Sequence, residues 1–260
     1  MTLESHIMRM GTPHITSLKR TLATLEAVID SAGNQTVADI ARNLDIPVAT
    51  AHRQVATLLA ERYLSKLENG RHVAGPRLLR LLGQVDKKQI IASAAAPVLH
   101  RLAAQVKSTV QLGTFENDMV TYRIKTGQGA GELFTKVGMQ LEAYCSGIGK
   151  VLLAELPADE REAYLANGPF VPLTARTIVR PDALRAELEK VRRNGHAIDD
   201  GEVAEGLYCI AVPVRSPEGQ VQAAISVSRS LSDAAQQGDE ALLALLHQAA
   251  ADVEAALPRE

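Results

Sequence analysis

The chain has 260 residues, 46% hydrophobic and 22% charged, the balance of a globular protein of one large domain or two ordinary ones. Aromatic residues are only 3% and Trp is absent, so the core must be aliphatic. That composition argues against aromatic-lined sugar sites and stacking platforms for single-stranded nucleic acid. No stretch of 18 residues is free of charge, which excludes a membrane-spanning helix. Residues 1–11 carry Glu4 and Arg9 without a long apolar run and do not read as a signal peptide. Two cysteines, Cys145 and Cys209, make no disulfide framework and fit a reducing compartment. The expectation is a soluble cytoplasmic protein with no membrane partner.

Charge is unevenly distributed. Residues 1–88 hold 12 Lys and Arg against 8 Asp and Glu, a net +4, whereas residues 89–260 hold 16 against 22, a net −6. A basic first third on an acidic remainder confines any polyanion contact to the first third.

Ser17 precedes Leu18, Leu22, Leu25, Val28 and Ile29, whose three- and four-residue spacings predict an amphipathic helix. Ser17 is its expected N-cap, and Gly33-Asn34 its end. Thr36 then caps a short second helix over 37–44, interrupted by Asp45-Ile46-Pro47. Pro47 suits the start of a third helix over 48–62, with Ala51, Val55, Leu58 and Leu59 inward. Residues 64–67 and 71–74 read as short strands joined by an Asn69-Gly70 turn. Three helices followed by a basic hairpin outline a winged helix-turn-helix, with the third helix in the major groove.

Thr50 and Arg53 are the candidates for phosphate or base contact, and Arg53 suits a bidentate contact to guanine. His52 and Gln54 stand beside them. Lys66 and Arg71 are phosphate candidates in the wing, and Arg20 with Ser17 is placed to hold the backbone near the first helix. With Thr36 at the start of the second helix, these complete the expected set for double-stranded DNA. Short helix pairs with a proline turn also occur in bundles that bind nothing.

From Pro76 a further helix begins. It is expected to continue past a break at Gly83, through Ile90-Ile91, to Val106, with Pro97 bending or restarting it. Leu78, Leu81, Leu82 and Val85 form an apolar stripe that packs on its own domain or, the favoured reading, on a second copy.

Beyond it, strands and helices alternate irregularly. Residues 109–115 and 119–124 read as a hairpin around Glu116-Asn117-Asp118, and residues 146–155, 158–166 and 181–194 as helices. Residues 207–214 and 221–228 form an antiparallel pair around a Ser216-Pro217-Glu218-Gly219 turn, and a last helix covers 239–257. Hairpins with helices around them predict an α+β sheet domain.

Gly127-Gln128-Gly129-Ala130-Gly131 lacks the spacing of a cofactor loop and reads as a flexible connection. The seven His form no H-x-x-x-H pair and there is no C-x-x-C, so neither a metal site nor a cofactor is expected. Cys145, His196 and Asp199, or Ser226 in place of the Cys, can be drawn as a triad. No nucleophile elbow surrounds them, and an enzyme is not expected. Small polar residues do cluster at the ends of apolar segments: Cys145-Ser146-Gly147 opening a helix, Cys209, and Ser226 with Ser228 on one strand face. They either form a site for a small carboxylate at a helix N-terminus or fill a tight core.

The chain resembles the IclR family of transcriptional regulators over nearly its whole length. In the first domain the resemblance lies in Ser17-Leu18-Lys19-Arg20-Thr21-Leu22, Thr36-Val37-Ala38-Asp39-Ile40-Ala41, and Ala49-Thr50-Ala51-His52-Arg53 with Leu58-Leu59. In the second it lies in Tyr144-Cys145-Ser146-Gly147-Ile148-Gly149-Lys150, Gly195-His196-Ala197-Ile198-Asp199-Asp200-Gly201-Glu202, Gly206-Leu207-Tyr208-Cys209, and Ala223-Ala224-Ile225-Ser226-Val227-Ser228. The resemblance implies a winged helix-turn-helix at 15–75, a helical linker at 76–90 and a GAF-like effector-binding domain at 91–258. It implies a homodimer or homotetramer on palindromic operator DNA, switched by a small organic acid, a carboxylate or an aromatic acid. Carried over by position, Gly147 and Ile148 offer backbone N–H groups, and Asp199 lines the rim. Cys209, Ser226 and Ser228 hydrogen-bond the ligand, and Leu207 is an apolar wall.

Two positions depart from the family pattern. Val48-Ala49 stands where a Lys-Ser pair is frequent, leaving Thr50, His52 and Arg53 more of the contact. Tyr144 and Ile148 stand where smaller or different residues are common. Two competing readings are a second domain that only oligomerises and an enzyme acting on a small acid.

Overall fold

The computed structural model describes residues 14–257, so the reading of residues 1–11 and residue 258 of the expected effector domain lie outside it. The chain divides into two compact units, one ending at Asp86 and the other beginning at Lys87.

In the first unit, α1 (Thr16–Asp30), α2 (Val37–Asn43) and α3 (Val48–Ala60) precede the antiparallel pair β1 (Leu64–Lys66) and β2 (His72–Ala74), then α4 (Pro76–Leu82). Aliphatic residues at helical spacing meet in one core: Val28, Val37, Ile40, Ala41, Ala51, Val55 and Leu58, with Leu64 from the hairpin. Leu59, expected inward, lies half-buried at its edge. Thr36 opens α2 with a capping box, its Oγ1 accepting from the Asp39 N–H at 3.1 Å while Asp39 Oδ2 accepts from the Thr36 N–H at 2.9 Å.

Two expectations fail here. Ser17 does not cap α1: Ile15 holds that position without a side-chain bond, and Ser17 lies exposed in the first turn. A cap is worth about 1 kcal/mol, too little to set a helix start against the packing of its apolar face. Gln54 does not join the polar side of α3. It stands three residues after Ala51 and four before Leu58, on the buried side, and accepts the Thr24 hydroxyl at 2.8 Å.

The second unit begins with α5 (Lys87–Val106), one helix that runs through Pro97 without restarting; residues 83–86 separate it from α4. Next come β3 (Thr109–Glu116), β4 (Met119–Thr126), β5 (Gln140–Glu142), α6 (Gly147–Ala154), α7 (Ala158–Ala166) and α8 (Pro181–Asn194). Then follow β6 (Ala197–Asp200), β7 (Leu207–Arg215), β8 (Val221–Ser230), α9 (Leu231–Gln237) and α10 (Glu240–Ala256). The strands form one antiparallel sheet in the order β5-β4-β3-β8-β7-β6. Sequence reading misses β5, β6 and α9, which are short.

Alternation along the strands splits the sheet into two faces. Val110, Leu112, Ile210, Val212, Ile225 and Val227 pack under α5 and α10. On the other face Ala211 and Ala224 join the core beneath α6, α7 and α8. Gln111, Cys209, Ser226 and Ser228 alternate with the first set and therefore share the α6 face. The register aligns them: Gln111 pairs with Ser226, Ser228 with Cys209, and Cys209 with Asp199.

All eight residues of α6 are buried. Two glycines permit this. A Cβ on Gly113 would stand 2.8 Å from Ile148 Cγ2, and one on Gly149 would stand 2.0 Å from the Ala143 carbonyl oxygen.

The buried Thr24–Gln54 pair generates a test of the first unit. Thr24→Val leaves the Gln54 carboxamide oxygen without its donor and is expected to destabilise by about 1–3 kcal/mol. Urea unfolding should show a lower midpoint with an unchanged slope.

Candidate functional sites

On α3, Thr50 and Arg53 are three residues apart on one strip, Thr50 half-buried and Arg53 exposed. His52, Ala56 and Leu59 form the neighbouring strip, which faces the β1–β2 wing across a recess. The recess brings together Thr36, His52, Lys66 and Arg71 of the expected DNA set, and adds His72. Ser17 and Arg20 lie exposed on α1 and do not line it. Arg71 is partly committed, donating from Nη1 to the Asn34 carbonyl at 2.7 Å and so tying the wing to the α1–α2 turn. Thr36 is likewise engaged with Asp39. Burial, reinforced by the positive charge of Lys66 and by His52, holds the His72 imidazole below its usual range. His72 escapes sequence reading because one histidine in a three-residue strand carries no spacing.

The second site lies at the N-terminus of α6. Ser146 caps the helix, its Oγ accepting from the Gly149 N–H at 3.0 Å, while the N–H groups of Gly147 and Ile148 begin the first turn, without intrahelical acceptors. A narrow cleft of about 20 Å³, little more than one water molecule needs, is lined here by Gly147, Ile148, Asp199, Leu207, Cys209 and Ser226, six of the seven expected effector residues. Ser228, the seventh, is not in the lining. Its Oγ lies 3.1 Å from Cys209 Sγ and 3.4 Å from Gln111 Oε1, so it positions those two groups.

Sequence reading misses Gln111, Tyr122 and the Leu133–Phe134–Thr135 stretch that completes the wall. Gln111 Nε2 donates to Thr135 Oγ1 at 2.7 Å, and Lys125 Nζ donates to the Leu133 and Thr135 carbonyls, fastening this segment to the sheet. The glycine run read as a flexible connection thus leads into a fixed wall. A glutamine inside the apolar run of β3 was the available signal.

Charge is concentrated behind the cleft. Lys150, fully buried on α6, pairs with Glu202 and with Glu187 of α8, the latter at 3.2 Å. Asp199 Oδ1 accepts from the Glu202 N–H at 2.7 Å. Burial raises the Asp199 carboxyl to about 6 and Glu202 to about 7, against the opposing pull of Lys150.

The residues drawn as a triad do not assemble one. Cys145 Sγ donates to the Glu142 carbonyl at 3.4 Å, while His196 is turned to the Asn194 carbonyl at 3.1 Å. Burial pushes the Cys145 thiol up to about 12 and raises Cys209 as well, so neither is poised as a thiolate. Among the described residues no group of three His, Cys, Asp or Glu is placed to hold a metal ion, and no helix is long and apolar enough to cross a membrane.

Comparison with known proteins matches both units. The family profile "IclR helix-turn-helix domain" covers residues 17–68, and "Bacterial transcriptional regulator IclR C-terminal" covers residues 83–255. The Pca regulon regulatory protein of Pseudomonas putida is 32% identical over 217 residues, 82% of this chain and 74% of that protein. The HTH-type transcriptional regulator XynR of Escherichia coli K12 is 30% identical over 222 residues, 83% of this chain and 86% of that one. The crystal structure of an IclR homolog complexed with 4-hydroxybenzoate from Microbacterium hydrocarbonoxydans matches with a TM-score of 0.61 at 28% identity, covering 93% of this chain and 99% of that one. With a helix-turn-helix in the first unit and the family's C-terminal domain in the second, the chain belongs to the IclR family of DNA-binding transcriptional regulators, which are not enzymes.

Proposed function

We propose that this regulator binds palindromic operator DNA in the cytoplasm as a dimer or dimer of dimers, and that a small organic acid at the N-terminus of α6 switches it. The observation that carries the reading is the convergence of Gly147, Ile148, Asp199, Leu207, Cys209 and Ser226 on one cleft, with helix-terminal N–H groups for an anion. Leu207 and Ile148 supply apolar wall for the remainder of the ligand. The ligand named for the Microbacterium homolog, 4-hydroxybenzoate, is an acid of this class.

On the DNA side, Thr50 and Arg53 meet base edges or phosphate, and His52, Lys66 and Arg71 with Thr36 place a phosphate in the recess beside the wing. Ser17 and Arg20 hold the flanking backbone. The second copy is argued from unpartnered apolar surface: Leu18 and Leu22 of α1 are 54% and 49% exposed, and Leu79 and Leu82 of α4 are each 66% exposed. Residues 76–90 serve as the linker and 91–258 as the effector domain. Half-sites about one helical turn apart demand a fixed spacing of the paired α3 helices, so an effector that favours another arrangement of the dimer changes operator affinity.

Two measurements test this. Arg53→Ala is expected to weaken binding to a duplex from upstream of the gene by about tenfold to hundredfold in fluorescence anisotropy, the loss of one bidentate base contact. Lys66→Ala should weaken all duplexes alike and flatten the salt dependence. Unchanged affinity in both would remove α3 and the wing from the interface.

The cleft is tested by thermal melting against small carboxylates and aromatic acids, where a concentration-dependent rise is expected. Ser226→Ala should reduce the response about threefold to tenfold, the loss of one neutral hydrogen bond, and leave ligand-free DNA binding intact. Equal loss of both functions would sink the assignment.

A further inference from the structure

The cleft contains an oxygen that the protein itself leaves unsatisfied. Asp199 is 1% exposed, and its two carboxyl oxygens have different surroundings. Oδ1 accepts the N–H groups of Glu202 at 2.7 Å and Val203 at 3.4 Å. Oδ2 is buried without a hydrogen-bond partner among the described residues, in a side chain that lines the cleft. Such an atom is unfavourable unless a proton or a ligand pairs with it.

The surrounding charges offer Asp199 no counter-ion of its own. Lys150 from α6 is shared by Glu202 of the loop after β6 and Glu187 of α8. Asp200, next along β6, is paired with Arg176. Tyr122 of β4, Cys145 ahead of α6 and Cys209 of β7 are the other titratable groups facing it, and burial keeps all three neutral. One buried ammonium therefore faces two buried carboxyls and a third at its edge. An ionised Asp199 would also stand in the same cleft as the helix N-terminus that favours an anion.

We propose that Asp199 meets the effector as the neutral acid, its proton on Oδ2 donated to an anionic oxygen of the ligand, so that in alkaline solution binding a small carboxylate takes up one proton from solvent. The inference rests on the reading of the cleft as an effector site. Oδ1 already accepts two backbone N–H groups, which leaves Oδ2 as the place for the proton. Burial brings the free carboxyl up to about 6, so the free cleft holds the proton below that pH and loses it above. The sign follows: carboxylate affinity is flat in mild acid and falls as pH rises through and beyond this range.

The experiment is calorimetric titration of the full-length protein with acetate, lactate, benzoate and 4-hydroxybenzoate between about pH 5.5 and pH 8.5, in buffers of different ionisation enthalpy. The apparent Kd of an acid that binds is expected to rise about tenfold per pH unit above the midpoint, with close to one proton taken up at the alkaline end. Asp199→Asn keeps an acceptor for the Glu202 N–H and places an amide donor at Oδ2. It should bind with an affinity independent of pH, and its circular dichroism and cooperative thermal melting report that the second unit folds.

A pH-independent Kd in the unmodified protein overturns the inference and leaves the effector reading standing. So does a slope that survives in Asp199→Asn, or one abolished by Glu202→Gln instead, which would put the proton on Glu202. Failure of all four acids to bind at any pH overturns the carboxylate reading and this inference together.

Discussion

The burial of α6 is the constraint on which the second unit depends. A helix whose eight residues are all buried must be admitted closely by its neighbours, and several of them are small where they meet the helix. Ala211 and Ala224 lie in the sheet beneath it, Gly113 leaves room for Ile148, and Gly149 lets the Ala143 backbone approach. Close packing of this kind leaves the helix no freedom to slide. It also forces the Lys150 ammonium into the interior, where Glu202 and Glu187 compensate it. Removing one member of a buried ion cluster typically destabilises by about 3–5 kcal/mol, because the partner charge is left alone. The lysine therefore joins α6 to α8 and to the loop after β6, and that loop carries one wall of the cleft.

The sheet supplies the other half of the site through register alone. Asp199, Cys209 and Ser228 fall on one cross-strand row, and Ala211, Ser226 and Gln111 on the next. A slip of one residue would turn these polar side chains under α5 and α10 and bring Ile225 and Val227 to the cleft. The packing of Ile210, Val212, Ile225 and Val227 against α5 and α10 thus fixes which side chains a ligand can meet. Core and site are written into alternate positions of the same strands.

How far the sequence is legible follows from the same physics. Helices with several turns of apolar periodicity, such as α1, α3, α8 and α10, are readable, as is the hairpin around Asn117-Asp118, both of which adopt positive φ. β5 and β6 are too short for alternation to accumulate, and α9 shows no continuous apolar face. Gln54 illustrates a limit of another kind, since a polar residue on a helix reads as exposed until its buried partner Thr24 is known. In the cleft, the resemblance to a known family located residues from β6, β7, β8 and α6. Gln111 and Thr135 stayed hidden because their meaning lies in a hydrogen bond between segments 24 residues apart.

The charge division of the chain poses a last problem. Residues 89–260 carry a net −6, and this larger part of the chain is proposed to bind an anion. The first turn of α6 attracts an anion by at most about 2 kcal/mol. An ionised carboxylate about 4 Å from the ligand repels it by about 4 kcal/mol at an effective dielectric near 20, so the helix alone does not offset an ionised Asp199. Lys150 closes the gap only in part, because its ammonium is shared with Glu202 and Glu187. A proton on Oδ2 converts the repulsion into a hydrogen bond without adding a cation to the cleft. An arginine would achieve the same attraction more strongly, but a permanent charge would hold any anion. A carboxyl with its ionisation held near neutrality binds only what can make the proton worth keeping.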